Sequence, residues 1–199
     1  MTILALVRHG LTSWNENRLV QGRSDIPLSD NGRMQVDNWH VPDKLKDFLI
    51  VSSPLVRAKE TATILFGGNI STDDRLVEMD WSEWEGKSLN ELRAELGNLM
   101  EAWEAKGLDF KAPGGESPRE VQKRLRSFMR ERAKTNKNTV AICHKGVIRA
   151  VYALAVNWDM TNKPPQKLKD DCIHLFKLAE NGAPSVHQLD LPMVQDPQS

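Results

Sequence analysis

An α/β fold built on a parallel sheet is what this sequence predicts, and three observations predict it. Residues 3–7, 48–51 and 139–143 are short apolar runs without the alternation of a half-exposed strand, so they read as strands buried on both faces. A helix-patterned stretch separates each run from the next, as a parallel sheet with helical crossovers requires. Each run also ends on polar or charged residues at a turn, where open α/β sheets place their ligands.

Taken in order, the first strand runs straight into Arg8-His9-Gly10, and Gly10 permits a sharp turn or a close approach. Residues 10–30 are rich in Asn, Gly, Asp and Pro and read as a long loop. Ser29 or Asp30 caps a helix to about His40. The second strand ends at Ser52-Ser53-Pro54, with Pro54 expected in the first turn of a helix to about Phe66, and that helix carries Arg57. Leu55, Ala58, Ala62 and Leu65 form its apolar stripe. Residues 69–77 hold a short strand, followed by an acidic, Trp-rich segment from Glu78 to Gly86. Ser88 heads a helix to Leu96, and another covers 99–106. Pro113-Gly114-Gly115 is a break, after which Ser117-Pro118 opens a long helix to about Lys134, with Val121, Leu125, Phe128 and Met129 on one face. The third strand ends at His144, and Gly146 leads into an apolar helix to Val156. Residues 172–178 and 185–191 form a hairpin around Asn181-Gly182, with at least one antiparallel member. The chain is expected to be one domain over 1–199, with 192–199 as a loose tail.

Bulk properties exclude several functions. The 27 basic and 27 acidic residues cancel, which provides no general field for nucleic acid or an anionic membrane. No segment reads as a signal peptide or a membrane span. Cys143 and Cys172 form no disulfide framework and no zinc spacing, which fits a cytoplasmic protein. The basic helix 119–137 reads as a solvated amphipathic helix, and Gly114-Gly115 lacks phosphate-loop spacing.

The strand ends therefore carry Arg8-His9, Arg57 and His144, all on one edge of the sheet. Any one of them alone is more often a surface arginine or a satisfied histidine; together they read as an anion site. Two guanidinium forks match phosphate oxygens, a neutral imidazole is a competent nucleophile toward phosphorus, and a second histidine, if protonated, adds a donor. A leaving alkoxide needs an acid, and Glu78 is the candidate, with Asp80, Glu83 and Glu85 competing on position alone. Trp81 and Trp84 read equally as core, lid or substrate contacts. Cys143 points away from His144 and reads as a core residue.

These residues resemble the signature of the histidine phosphatase superfamily, the phosphoglycerate mutase-like proteins. The likeness begins with Arg8-His9-Gly10, Thr12, Trp14 and Asn15, and continues through Gln21-Gly22, Ser52-Ser53-Pro54, Arg57-Ala58 and Thr61-Ala62. It then takes in Glu78, Trp84-Glu85-Gly86, Gly114-Gly115-Glu116-Ser117, and His144 with Gly146 and Arg149, so it spans about residues 4–155. The resemblance implies a three-layer α/β/α sandwich with a mostly parallel sheet, and a phosphohistidine on His9 with Glu78 as proton donor. It implies a phosphate pocket of Arg8, Arg57, His144 and Asn15, further ligand contacts near Gln21 and Gly22, and no metal or other cofactor. The chain departs from the family's pattern at Ser82, where glycine is common, and at Lys145, where a small residue is common and a lysine adds a cation to the pocket rim or points to solvent. Only a short stretch separates Gly86 from Gly114, which resembles the phosphatases rather than the cofactor-dependent mutases.

The expected function is a metal-independent phosphomonoesterase acting on a small organic phosphate ester. Two other classes stand beside it: a phosphoglycerate mutase, and a catalytically silent phosphate-ligand or phosphoprotein-binding module. Which ester is used and the oligomeric state, a homodimer included, are not specified by the sequence.

Overall fold

The computed structural model describes residues 1–193. Six strands form one sheet: β1 (Thr2–Arg8), β2 (Leu49–Ser52), β3 (Ser71–Thr72), β4 (Thr139–Cys143), β5 (Cys172–Leu178) and β6 (Pro184–Pro192). Their spatial order is β3-β2-β4-β1-β5-β6. The first four positions are mutually parallel, whereas β5 runs antiparallel to both β1 and β6. The mostly parallel sheet and the C-terminal hairpin are thus both present.

Helices cover both faces. α1 is Ser13–Glu16, α2 Asp30–Asp37, α3 Val56–Phe66, α4 Leu89–Leu96, α5 Asn98–Glu104, α6 Pro118–Thr135 and α7 Lys145–Val156. Leu4 and Leu6 of β1 pack with Val121, Leu125 and Phe128 of α6 and with Val147 and Val151 of α7. Ala5 and Val7, one residue out of phase, pack with Val36 of α2 and with Ala58 and Ala62 of α3. This period of two along one strand divides the interior into two cores and makes the three-layer sandwich. Each fully buried Leu or Phe contributes about 1.5–3 kcal/mol of transfer free energy. A third, smaller cluster of Trp84, Leu92, Met100, Phe110 and Ala112 gathers under α4 and α5, away from the sheet.

Local chemistry explains most element ends. Ser88 and Ser117 each form a capping box with a glutamate three residues on, Glu91 and Glu120. α6 ends at Asn136 in the left-handed conformation. α3 begins at Val56, two residues later than Pro54 suggests, and its flanking Leu55 has no side-chain cap. Asp25 supplies one instead, accepting the Val56 N–H at 2.6 Å from a distant loop.

Several expectations need correction. Residues 10–30 are not all loop, since α1 and an isolated bridge between Thr12 and Leu28 lie within them. Thr12 and Asn15 form a capping box that sequence reading passed over. The loose tail does not start at 192: Pro192 pairs with Cys172 in the hairpin, and Met193 is buried in the second core. Residues 194–199 lie outside the described residues. Among the described residues, no helix is long and apolar enough to cross a membrane.

Ser82 occupies the left-handed region at φ +48°, which accounts for glycine being common at that position. Its Cβ meets a steric cost there, and Ser82→Gly removes it. The variant should gain about 0.5–1 kcal/mol after allowing for the greater unfolded-state freedom of glycine. A urea midpoint that falls rather than rises, at unchanged slope, would refute this.

Candidate active site

β1 and β4 pair with Arg8 opposite Cys143, and the His9 N–H donates to the Cys143 carbonyl at 3.1 Å. His9 and His144 therefore leave the sheet side by side, with ring centroids 5.1 Å apart. Gly10 follows because a Cβ there would stand 2.4 Å from the Val36 methyl and 3.0 Å from the Gly32 carbonyl, so the turn needs close approach to α2.

His9 Nδ1–H donates to the Gly10 carbonyl at 2.7 Å, which fixes the tautomer and leaves the lone pair on Nε2. Arg57 Nε–H meets that lone pair at 3.2 Å. The rest of the Arg57 fork is held by carbonyls, Ser24 at 2.8 Å and Gly22 at 2.7 Å, and the side chain is fully buried. Thr61 ties this helix to the first strand's turn, donating to the Arg57 carbonyl at 2.7 Å and accepting the Gly10 N–H at 3.1 Å.

His144 lies behind His9, fully buried, with Nε2 2.8 Å from Ser53 Oγ. Ser53 Oγ accepts the Leu55 N–H, which leaves its own O–H to donate to Nε2. On that assignment Nδ1 carries the imidazole proton, and it has no partner among the described residues. Burial holds both histidines well below the usual imidazole range, with the charges of Arg8 and Arg57 adding to it. The protonated form considered for His144 is thus disfavoured in the free protein. A neutral ring still donates one hydrogen bond through Nδ1–H.

Arg8 pairs with Asp170 at 2.7 Å, and its buried Nε has no partner among the described residues. Asp170 also accepts from Lys145 Nζ at 3.1 Å, so the lysine sits on the pocket rim, its charge engaged. Nothing in the sequence singled out Asp170, which lies in a Lys- and Asp-rich loop just before β5.

Glu78 is separated from its rivals by geometry. Its carboxylate accepts the Met79 N–H at 2.8 Å and, at the start of α7, the Gly146 N–H at 3.1 Å. It lines the cavity, as do Arg8, His9, Arg57 and Lys145, whereas Asp80, Glu83 and Glu85 do not. Glu85 instead binds the N–H groups of Arg23, Ser24 and Trp81 and so stitches two loops together. Glu83 is exposed. Arg124 of the basic helix turns inward, forking onto Glu116 at 2.9 and 3.0 Å and reaching the Glu78 carbonyl at 3.3 Å. That inward turn is the exception to reading the helix face as merely solvated. Asn15, Gln21 and Gly22 complete the near wall, with Gln21 accepting the Thr12 hydroxyl at 2.9 Å. Cys143 is buried in the first core, where burial raises its thiol pKa.

The cavity holds about 560 Å³, more than a phosphate needs, and Trp81, Met100 and Phe110 form its outer apolar wall. Trp84 is buried in the third cluster rather than lining the cavity. Among the described residues, no group of three His, Cys, Asp or Glu side chains is placed to hold a metal ion. Chemically, the inner end offers an oriented imidazole lone pair, two guanidinium groups and a carboxylate within one cavity, with the buried His144 ring next to His9 rather than among the lining residues.

Comparison with known proteins follows the same lines. The family profile of the histidine phosphatase superfamily (branch 1) matches residues 4–190. The chain belongs to that superfamily. It is an enzyme of that superfamily, with phosphatases among its structural neighbours. The mycobacterial glucosyl-3-phosphoglycerate phosphatase in complex with VO3 superposes with a TM-score of 0.80 at 27% identity, over 98% of this chain and 100% of that one. The phosphoserine phosphatase of Entamoeba histolytica in complex with 3-phosphoglyceric acid gives 0.79 at 27% identity, over 96% and 97%. A Salmonella choleraesuis protein named "Probable phosphoglycerate mutase GpmB" is 36% identical over 134 residues, 62% of this chain and 60% of that protein.

The lowered histidine pKa values have a testable sign. Both imidazoles stay neutral below 6.5, so their NMR resonances should hold neutral-form shifts at pH 6. The unfolded chain takes up those protons near 6.5 and the folded protein does not, so these histidines make stability decline as pH falls below that value. Titration of either ring at or above 6.5 would sink the assignment.

Proposed function

We propose that the protein is a metal-independent phosphomonoesterase that hydrolyses a small organic phosphate ester through a phosphohistidine on His9. The observation that carries this reading is the His9 hydrogen bond to Gly10, which directs the Nε2 lone pair toward Arg57 in a cavity shared with Glu78. The bound phosphoryl group takes over the Arg57 Nε–H from His9 and draws on the unpartnered Arg8 Nε and His144 Nδ1 donors. Asn15, Gln21 and Gly22 contact the ester from the near wall, and Lys145 adds positive potential at the rim.

In the first step, His9 Nε2 forms a bond to phosphorus as the ester P–O bond breaks, and Glu78 gives its proton to the leaving oxygen. In the second, water attacks phosphorus, its proton passes to Glu78, and the P–N bond breaks to release inorganic phosphate. Negative charge on the transferring oxygens is met by guanidinium and imidazole donors, the role a metal plays elsewhere. The Gly10 carbonyl stabilises the positive ring while it carries phosphorus. The protein acts as a single cytoplasmic domain, a setting that suits its two free, buried cysteines.

A mutase is the second reading, favoured by the Salmonella relative. It uses the same first step and differs in the acceptor, a second hydroxyl in place of water. Incubation with 2- and 3-phosphoglycerate separates the two: isomer without phosphate release means mutase. A silent binding module is opposed by the complete set of His9, Glu78, Arg8, Arg57 and His144.

His9→Ala should abolish hydrolysis of an aryl phosphate in the presence of chelator; near-native turnover would overturn the mechanism. Gly146→Ala probes the acid, because its Cβ would stand 2.3 Å from Glu78 Oε1. Displacing that carboxylate should lower kcat/KM for an alkyl phosphate by about 10²-fold. Aryl phosphates, whose leaving groups need less protonation, should suffer less, and an equal loss for both would argue against Glu78 as the acid.

A further inference from the structure

Arg8 is the last residue of β1 and lines the cavity. Its Nη1–H donates to the Asp170 carboxylate at 2.7 Å, whereas its buried Nε has no partner among the described residues. The same Asp170 oxygen accepts from Lys145 Nζ at 3.1 Å, so one carboxylate joins the end of β1 to the start of α7. Asp170 is half-exposed, and an ion pair so placed adds little to stability. Its effect on Arg8 is geometric. A long, flexible side chain anchored through Nη1 keeps few of its rotamers, and its planar fork then has a set direction.

The loop over residues 157–171, between α7 and β5, is built to hold that carboxylate still. Where β6 passes His174, Leu189 and Asp190 together stand opposite one residue of β5, which is a β-bulge. Asp190 takes the left-handed conformation there, at φ +53°. Its carboxylate accepts the Lys169 N–H at 2.8 Å and the Gln166 side-chain amide at 2.7 Å. His174 is buried on β5. Its Nδ1 accepts the Asp190 N–H at 3.3 Å, so the proton sits on Nε2, which donates to the Lys169 carbonyl at 3.0 Å. Both backbone groups of Lys169, the residue before Asp170, are thus fixed from within the fold. The proposed phosphoryl chemistry uses neither His174 nor the bulge; what they support is a rim carboxylate.

We propose that Asp170 is a positioning residue for the phosphoryl site: it holds Arg8 in the orientation that leaves its Nε–H for the anion, and Lys145 offsets the negative charge this brings. The inference rests on reading the cavity as the phosphoryl site, but not on turnover or on a phosphohistidine. Asp170 has two effects of opposite sign. As a charge it repels a dianion, and as a tether it makes Arg8 a better donor. The tether is the larger effect. Lys145 and solvent both weaken the field of a half-exposed carboxylate, whereas displacing a positioned group by about 1 Å can cost about 10²-fold.

The opposite signs make the test. Calorimetry with inorganic phosphate on the full chain compares the wild type with Asp170→Ala, which removes charge and tether, and with Asp170→Asn, which removes the charge but keeps an acceptor oxygen for Arg8. The expected result is phosphate binding at least tenfold weaker in Asp170→Ala, and at least as tight as wild type in Asp170→Asn. Unchanged or tighter binding in Asp170→Ala means that the carboxylate acts only as a charge or not at all, and overturns the proposal. Equal weakening in both variants means that it serves the fold alone, and overturns it too. A wild-type chain that binds no phosphate defeats this inference together with the phosphoryl site. Turnover of an aryl phosphate by His9→Ala is read separately: near-native activity defeats the phosphohistidine reading and leaves the order of phosphate affinities as it stands.

Discussion

The register between β1 and β4 is the constraint on which the site depends. Arg8 stands opposite Cys143, so the first residues beyond the two strands, His9 and His144, emerge together at the same edge. That register is held by the cores rather than by the site. Leu4 and Leu6 must face α6 and α7, and Ala5 and Val7 must face α2 and α3. A slip of one residue would exchange the two sets and drive leucine into the alanine side. Apolar packing thus places the two imidazoles side by side, and no polar contact between them is needed to do it.

The electrostatics follow from that placement. Arg57 is fully buried and is bonded to two backbone carbonyls and an imidazole nitrogen, with no carboxylate on its fork. Such a charge keeps its hydrogen bonds, and the nearby carboxylates of Glu78, Asp25 and Glu85 act on it only through space. Desolvation holds His9 and His144 neutral, and the charges of Arg8 and Arg57 add to it. On the proposed mechanism a neutral His9 is the nucleophilic form, so the burial and guanidinium charges that prepare the site for an anion also favour its reactive protonation state. Asp170 offsets Arg8 from the half-exposed rim, which leaves the interior net positive and suited to a dianion.

How much of this was legible in the sequence depends on how local each signal is. The strand runs, the Ser117-Pro118 cap and the hairpin turn are written in adjacent residues, and they appear where the sequence places them. The convergence of Arg8, His9, Arg57 and His144 was legible too, because a parallel sheet brings strand ends to one edge whatever the loops do. Position alone did not single out Glu78 among four carboxylates; the family resemblance did, and the structure adds its contact with a backbone N–H of α7 that lies 68 residues away. Asp25 capping α3, Asp170 holding Arg8 and Arg124 turning inward to Glu116 are likewise single side chains in polar stretches, with partners fixed only by tertiary structure. Nor could the sequence reveal that Pro192 and Met193 belong to the fold, because a proline at the end of a largely exposed strand reads as the start of a tail.

The two ends of the cavity differ in what supports them, and that bears on how one scaffold serves phosphatases and mutases. The phosphoryl end stands on β1, β4 and the first turns of α3 and α7, all packed into the two main cores. The outer wall stands on α4, α5 and the Trp-rich segment, which enclose a separate cluster around Trp84, Leu92 and Met100. Substitutions in that cluster can reshape the space available to the leaving group, or to a competing hydroxyl, without disturbing the strand register that sets His9 against His144. On the proposed mechanism the acceptor choice, water or alcohol, follows from the outer wall, while the phosphohistidine chemistry follows from the sheet.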